Sequence, residues 1–211
     1  MHIEIFGEAI NWPANLVGLL GTVFLLIAYL KKEKLQFTYW TFGAYLSFIG
    51  EAVILLVVDK TNVWANIFAN ILCVVRSIVL VKFLKQGKEM PVWIAIVICG
   101  VLWISSAFFF DAWYTYLPPL IVTIFTLSLL SSKFVVGKIG AIALEIGYLT
   151  YNFIVKSYVG AIREAVLLIC VIISLFTYLL AQKKNSSSLE VEEKKETKNP
   201  KGLEKEDQDG E

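Results

Sequence analysis

From about Asn15 to Ala181 the chain alternates long apolar runs with short polar breaks, and the breaks set the expected elements. The first run, Asn15 to Leu30, stops at Lys31-Lys32-Glu33-Lys34. The second, Phe37 to Val58, ends at the polar turn Asp59-Lys60-Thr61-Asn62, and a third runs from Val63 to Leu84 and closes with lysines around Gly87. Pro91, a suitable first-turn residue, opens a fourth run to Phe110, and Asp111 to Tyr116 form an aromatic turn of the kind enriched at membrane interfaces. Three more runs follow: Leu117 to Leu130, Val136 to Val155 and Gly160 to Ala181. These runs are 14 to 22 residues long, most of them near the ~20 a helix needs to cross a bilayer, and they do not alternate as barrel strands would. The pattern predicts an all-α membrane protein with seven transmembrane helices.

Within the runs, polar residues fall at helical spacing, where positions three and four apart share a face. The stripes are Asn15, Gly18, Thr22 and Tyr29 in helix 1; Ala44, Ser47 and Glu51 in helix 2; Asn66, Asn70, Cys73 and Ser77 in helix 3. Helix 5 offers Pro119, Thr123 and Thr126, helix 6 Glu145, Tyr148, Asn152 and Lys156, and helix 7 Glu164, Val171 and Tyr178. Helix 4 carries no charge and reads as a lipid-facing linker. Two readings compete. Small and hydroxyl residues can simply hold helices together through close packing and interhelical hydrogen bonds, at about 0.6 kcal/mol each. An ionisable group at mid-membrane costs at least ~2.5 kcal/mol, so Glu51, Glu145 and Arg76 call for a structural ion pair or a pathway; Arg76, off its stripe, could also snorkel to the interface.

Helices 1–3 and 5–7 read as two copies of one unit, with Glu51 and Glu145 the clearest matched pair. The single helix 4 between them makes the repeats parallel, a 3+1+3 arrangement. The expected organisation is an interfacial segment over 1–13, a first repeat over 14–86, the linker helix over 87–113, a second repeat over 114–182 and a charged, disordered cytoplasmic tail over 183–211.

Composition agrees with this picture: mean hydropathy is +0.69, and 57% of residues are hydrophobic against 18% charged. The net charge of +1 matters less than its placement. Lys31, Lys32, Lys34, Lys82, Lys85, Lys88, Lys133, Lys138, Lys183 and Lys184 fall on one side, and Lys60, Lys156 and Arg163 on the other. The positive-inside rule therefore predicts the N-terminus outside and the C-terminus in the cytoplasm. MHIEIFGEAINWPANL has Glu4 and Glu8 where a signal peptide has a basic region, so helix 1 is expected to stay as an anchor. Cys73, Cys99 and Cys170 stand singly, without metal or disulfide spacing, and His2 is the one histidine. No cofactor or metal is expected. No basic patch interleaves with aromatics, which removes nucleic acid as a partner, and HExxH and GxSxG motifs are absent, so no enzymatic activity is expected.

Two segments carry a family likeness. GLLGTVFLLIAYLKKEKLQFTYWTFGAYLSFIGEAVILL is similar to the first-repeat pattern of the YgjV-like bacterial inner-membrane proteins: a Gly-rich helix, a basic turn and an aromatic second helix. In YLPPLIVTIFTLSLLSSKFVVGKIGAIALEIGYLTYNFIVKSYVGAIREAVLLI, Leu117-Pro118, Tyr148 with Tyr151-Asn152, Ser157, Gly160 and Glu164 match the family's Leu-Pro opening, aromatic-x-x-Tyr/His-Asn element, small-residue turn and last-helix Glu. The family in turn resembles, distantly, the SWEET, PQ-loop and PnuC transporters, although this chain lacks the Pro-Gln pair and the four hinge prolines of the SWEET helices. The resemblance implies a multi-pass protein of the bacterial inner membrane and a transport function.

The resulting expectation is a small-solute transporter with a central cavity lined by Glu51, Asn66, Asn70, Glu145, Tyr148 and Asn152, with Trp40 as a further shape element. Such a cavity suits a cationic or hydroxylated solute, or proton carriage. Arg163 and Glu164 are expected as a gate at the outer mouth or as a solvated helix start. The partners are the lipid bilayer and an unidentified small polar solute, with a homo-oligomer left open. The alternative is a non-transporting scaffold or sensor that acts through its cytoplasmic tail.

Overall fold

The structure is a computed structural model that describes residues 3–5, 8–58, 64–108 and 112–198. The expected turn at 59–62, the last two residues of the fourth run (109–110), Asp111 at the start of the aromatic turn, His2, and the end of the tail from 199 lie outside the described residues. Residues 1–175 form one compact unit and 176–211 a second.

Two three-residue strands, β1 (Ile3–Ile5) and β2 (Glu8–Ile10), pair antiparallel with Ile3 opposite Ile10. The regular elements that follow among the described residues are all helices. Asn11 caps α1 (Trp12–Leu30) by accepting from the Ala14 amide at 3.2 Å, and Pro13 occupies the first turn, where its missing N–H costs nothing. Then come α2 (Lys34–Val58), α3 (Trp64–Lys85), α4 (Val92–Phe108), a 3-10 turn (Trp113–Tyr116), α5 (Leu117–Ser128), α6 (Phe134–Ile154) and α7 (Tyr158–Lys198). The seven expected helices are the seven α-helices observed among the described residues.

Five of them are long and apolar enough to cross a bilayer: α1, α2, α3 from Asn66, α6, and α7 as far as Lys183. The other two are shorter, with 17 residues in α4 and 12 in α5. In α5 the adjacent prolines Pro118 and Pro119 fix the start, and the chain turns at Leu129, so the long run expected there is divided between helix and turn. The tail also differs from expectation. Its backbone is helical to Lys198 rather than disordered from Lys183, because no glycine or proline interrupts the chain between Gly160 and Pro200 and its Glu, Lys and Leu content favours helix. In the 176–211 unit, the Gln182 side chain donates to the Tyr178 hydroxyl at 3.1 Å.

Two helix ends share one device. Gly87 (φ 65°) and Lys156 (φ 60°) adopt the left-handed conformation, and the next amide reaches back to the last helical turn: Lys88 N to Phe83 O at 3.0 Å, Ser157 N to Asn152 O at 2.9 Å. Gly87 meets this demand without strain. Lys156 meets it as an ordinary L-residue, which makes the α6–α7 turn the tighter constraint.

Within 1–175, α2 packs along both α1 and α3, α4 lies against α3 and α5, and α5 packs along α6. Small residues permit the closest approaches. A Cβ at Gly147 would run into the Ile121 side chain, and one at Gly140 into Ser128, so both glycines let α6 settle on α5. Helix α4 buries Ala95, Cys99 and Leu102 on one stripe and exposes Trp93, Ile96, Val97, Ile104 and Phe108, the pattern of a helix that meets lipid on most of its surface.

Candidate functional site

One end of the bundle is solid. At the end of α1, Tyr29 is buried, with Phe37 stacked 6.1 Å away, and Phe37 in turn meets Phe125 at 6.3 Å and Phe134 at 5.6 Å. Lys138, 1% exposed, donates to the Tyr29 carbonyl at 2.8 Å and to the Ser174 hydroxyl at 2.6 Å, and lies 5.2 Å over the Phe134 ring. Ser174 also donates to the Tyr29 carbonyl. The sequence places Lys138 at the start of the sixth run and counts it with the lysines that mark one face of the membrane. It is instead an interior cation, because the lysine bias gives a side of the bilayer and does not tell which helix face a lysine occupies. Lys34 makes the matching contact outside the core, donating to the Ser131 carbonyl at 2.9 Å.

Arg76 is likewise interior. At 1% exposed it donates to Thr126 Oγ1 at 2.8 Å and to the Tyr45 hydroxyl at 2.9 Å, between the Tyr45 and Phe125 rings at 5.5 and 4.9 Å. It does not snorkel. Its guanidinium finds neutral acceptors and π faces inside, which satisfies most of its donors without crossing to the interface; its Nε alone lacks a partner among the described residues.

Above this layer opens a cavity of about 300 Å³. It draws on the second halves of α2, α4 and α6 and the first halves of α3, α5 and α7. All eight residues singled out from the sequence line it: Glu51, Asn66, Asn70, Glu145, Tyr148, Asn152, Arg163 and Glu164. Pro119, from the stripe expected on helix 5, and its neighbour Pro118 join them, and Tyr45, Phe48, Leu102, Ser106 and Thr115 add wall that the sequence did not single out. Helix α4 thus contributes Leu102 and Ser106 and is not solely a lipid-facing linker. Trp40 is not part of the wall: it packs on Phe24 at 5.7 Å with Lys31 5.6 Å over its ring.

Each polar group is placed by its helix. Glu51 lies against α1 where Gly18 leaves room, since a Cβ there would collide with the carboxylate. Its Oε2 sits 3.5 Å from Arg163 Nη1, while Arg163 Nε donates to Glu164 Oε1 at 3.3 Å and the guanidinium stacks 5.3 Å over Phe48. Glu164 is 7% exposed, so it belongs to the buried wall and is not a solvated helix start. Asn70 donates to the Asn66 carbonyl at 2.9 Å, and Gly160 lets the start of α7 approach the Asn152 amide. Glu145, 1% exposed, accepts from the Tyr29 hydroxyl through Oε1; its Oε2 is buried without a hydrogen-bond partner among the described residues, beside the Glu164 carboxyl.

Tyr29 therefore links both regions: its hydroxyl donates to Glu145 of the cavity wall, and its carbonyl accepts in the plug. Among the described residues no group of His, Cys, Asp and Glu is arranged to hold a metal ion.

No curated protein and no solved structure matches the chain. A family model does, Imp-YgjV, described as a bacterial inner membrane protein, over residues 12–182. That stretch takes in all of α1 to α6 and the apolar part of α7, including both the plug and the cavity wall. The chain belongs to the Imp-YgjV family of bacterial inner membrane proteins.

Proposed function

We propose that this multi-pass inner membrane protein is a small-solute transporter whose cavity is the solute site. The observation that carries the reading is convergence. Eight polar residues from four helices, dispersed over more than a hundred positions, meet on one cavity that ends at a packed floor. Simple helix-to-helix adhesion would pair such groups with each other and leave no space between them. A cavity of this size, with charged, amide and hydroxyl groups set among aromatic and aliphatic side chains, is suited to a small molecule.

In this reading the plug around Tyr29 and Lys138 is the closed gate. Lys31, Lys82, Lys85, Lys88 and Lys133 cluster with the α1–α2, α3–α4 and α5–α6 connections at that end, which makes it cytoplasmic by the positive-inside rule and leaves the cavity open outward, with the N-terminus outside. Helices α1–α3 and α5–α7 act as parallel repeats around α4. Reciprocal contacts support that assignment: Lys34, opening α2, binds the α5–α6 connection, and Lys138, near the start of α6, binds the end of α1. Alternating access would then exchange the plug for a closure at the Arg163 end. The seventh-span count rests on α4 and α5 crossing with the help of their flanking turns. No catalytic step is assigned.

The test is uptake into proteoliposomes that contain the purified full chain, against Glu145→Gln, with a panel of radiolabelled amines, nucleosides, amino acids and sugars. Saturable uptake reduced by the substitution supports the reading; equal leakage of every solute through wild type, variant and empty vesicles would sink it. The scaffold or sensor alternative predicts that removal of residues after Lys184 abolishes the cellular phenotype while cavity substitutions do nothing. The helical continuation of α7 is the observation in its favour.

A further inference from the structure

Resting on the transporter reading, and narrowing it, we infer that the cavity recognises an organic ammonium group, held by the Glu145 and Glu164 carboxyls against an aromatic wall. Three carboxyl groups line the cavity and one guanidinium does. That guanidinium, Arg163, is already engaged by Glu51 and Glu164, and these are the ion pairs formed among the described residues. Arg76 and Lys138 are buried nearby, and both donate to hydroxyls or a carbonyl and lie against ring faces.

Glu145 is what turns an acidic cluster into a site. Its side chain is almost wholly buried, lines the cavity, and presents Oε2 with no hydrogen-bond donor among the described residues. An unpaired buried carboxylate oxygen is expensive unless a donor or a charge arrives. The neighbouring Glu164 carboxyl can serve that oxygen as a donor only when the pair shares a proton. An ammonium group supplies both the charge and N–H donors.

The shape of the wall decides between an organic and an inorganic cation. An alkali or alkaline-earth ion needs a cage of oxygens at close range, whereas this wall alternates oxygens with the rings of Tyr45, Phe48 and Tyr148 around about 300 Å³. Aromatic faces attract ammonium carbon skeletons by cation–π contact, and Phe48 already serves one cation in this way, 5.3 Å under Arg163. The asparagines then remain for hydroxyl or amide groups on the rest of the solute.

The experiment is a thermal-unfolding titration of the full chain in detergent. The probes are tetramethylammonium, choline and ethanolamine, with 3,3-dimethyl-1-butanol as the neutral isostere of choline and with sodium, potassium and magnesium chlorides at matched ionic strength. A saturable rise in midpoint with at least one ammonium probe, absent with the neutral alcohol and the metal salts, is the expected result. Glu145→Gln, which keeps an acceptor for Tyr29, should raise the half-saturating concentration at least ~10-fold, the loss expected for one charge-assisted contact. Should that variant fail to fold, Glu164→Gln is read in the same way. No ammonium response, an equal response to the alcohol, a response confined to a metal salt, or full retention in the folded variant each overturns the ammonium site. The two readings fail separately: ammonium binding without uptake sinks transport alone, and uptake of a neutral solute that ammonium ions neither compete with nor stabilise sinks the ammonium site alone.

Discussion

At the lysine-rich end of the 1–175 bundle, buried cations sit among carbonyls, hydroxyls and ring faces; at the other end, carboxyl groups face an open cavity with a single guanidinium among them. Both regions use costly groups inside an apolar protein, and they treat the cost differently. Lys138 and Arg76 are almost fully partnered and closely packed, as a structural role requires. Glu145 is buried just as deeply and keeps one oxygen unsatisfied. Burial of charge alone therefore does not mark a functional site in this protein. Burial combined with an unmet valence beside empty space does, and Tyr29 joins one region to the other.

If this contrast is right, substitutions in the plug should cost stability, and substitutions in the cavity should cost little. The largest effect is expected at Arg76→Ala. It removes two interhelical hydrogen bonds and two ring contacts and leaves a hole beside Tyr45, Phe125 and Thr126. A loss of about 3 kcal/mol is expected, read as a lower unfolding midpoint in detergent. A midpoint equal to wild type would mean that Arg76 is not structural.

Next comes Gly140→Ala on α6. Its new methyl group would collide with Ser128 on α5, so overpacking should cost about 2 kcal/mol. The same change at Gly100 on α4, where nothing lies within 4 Å of the added carbon, should instead be neutral or stabilise by up to about 1 kcal/mol through helix propensity. Unfolding midpoints of equal sign for the two variants would break the packing argument. A smaller effect is expected in the cavity. Glu51→Gln weakens a 3.5 Å ion pair whose side chains are 31% and 18% exposed, so it should cost below about 1 kcal/mol while it alters solute handling. A larger drop in its unfolding midpoint would make the cavity wall as structural as the plug.

The parts of this contrast that were legible in the sequence are those that depend on local pattern. Apolar runs placed seven helices, Asn11 and Pro13 started α1 as their chemistry suggests, and helical spacing put seven of the eight polar residues, all but Arg163, on faces that do meet. Parts that depend on which side chains meet across helices were not legible. Lys138 reads as one more lysine at the cytoplasmic end of a helix until Tyr29 and Ser174 close around it, and Arg76 leaves snorkelling open until Tyr45 and Phe125 flank it. Glu164 falls at the start of a helix, where solvation is the ordinary outcome, and only its position beside Glu145 buries it. Leu102 and Ser106 sit on the helix with the least polar sequence, so nothing in their spacing announced a share in the cavity.

The smallest predicted change in stability is the most direct probe of the link between the two ends. Tyr29→Phe deletes the hydroxyl that donates to Glu145 and keeps both the ring against Phe37 and the backbone carbonyl that accepts from Lys138 and Ser174. An interhelical hydrogen bond in a membrane protein contributes about 0.6 kcal/mol, so the unfolding midpoint should move little. Cys170 lies one helical turn before Ser174 on α7 and is half-buried, with Sγ 3.9 Å from the Leu26 carbonyl of α1. Its reaction with a water-borne maleimide requires water to reach that seam, which happens when the plug loosens. Cys73 and Cys99 are buried elsewhere and can be replaced by alanine to isolate the signal. If the Tyr29 hydroxyl helps hold the plug shut, its loss should speed Cys170 labelling about threefold, the population shift that ~0.6 kcal/mol produces. Labelling at the wild-type rate would mean that Tyr29 serves the two regions independently, and that whatever occupies Glu145 has no leverage on the closed end.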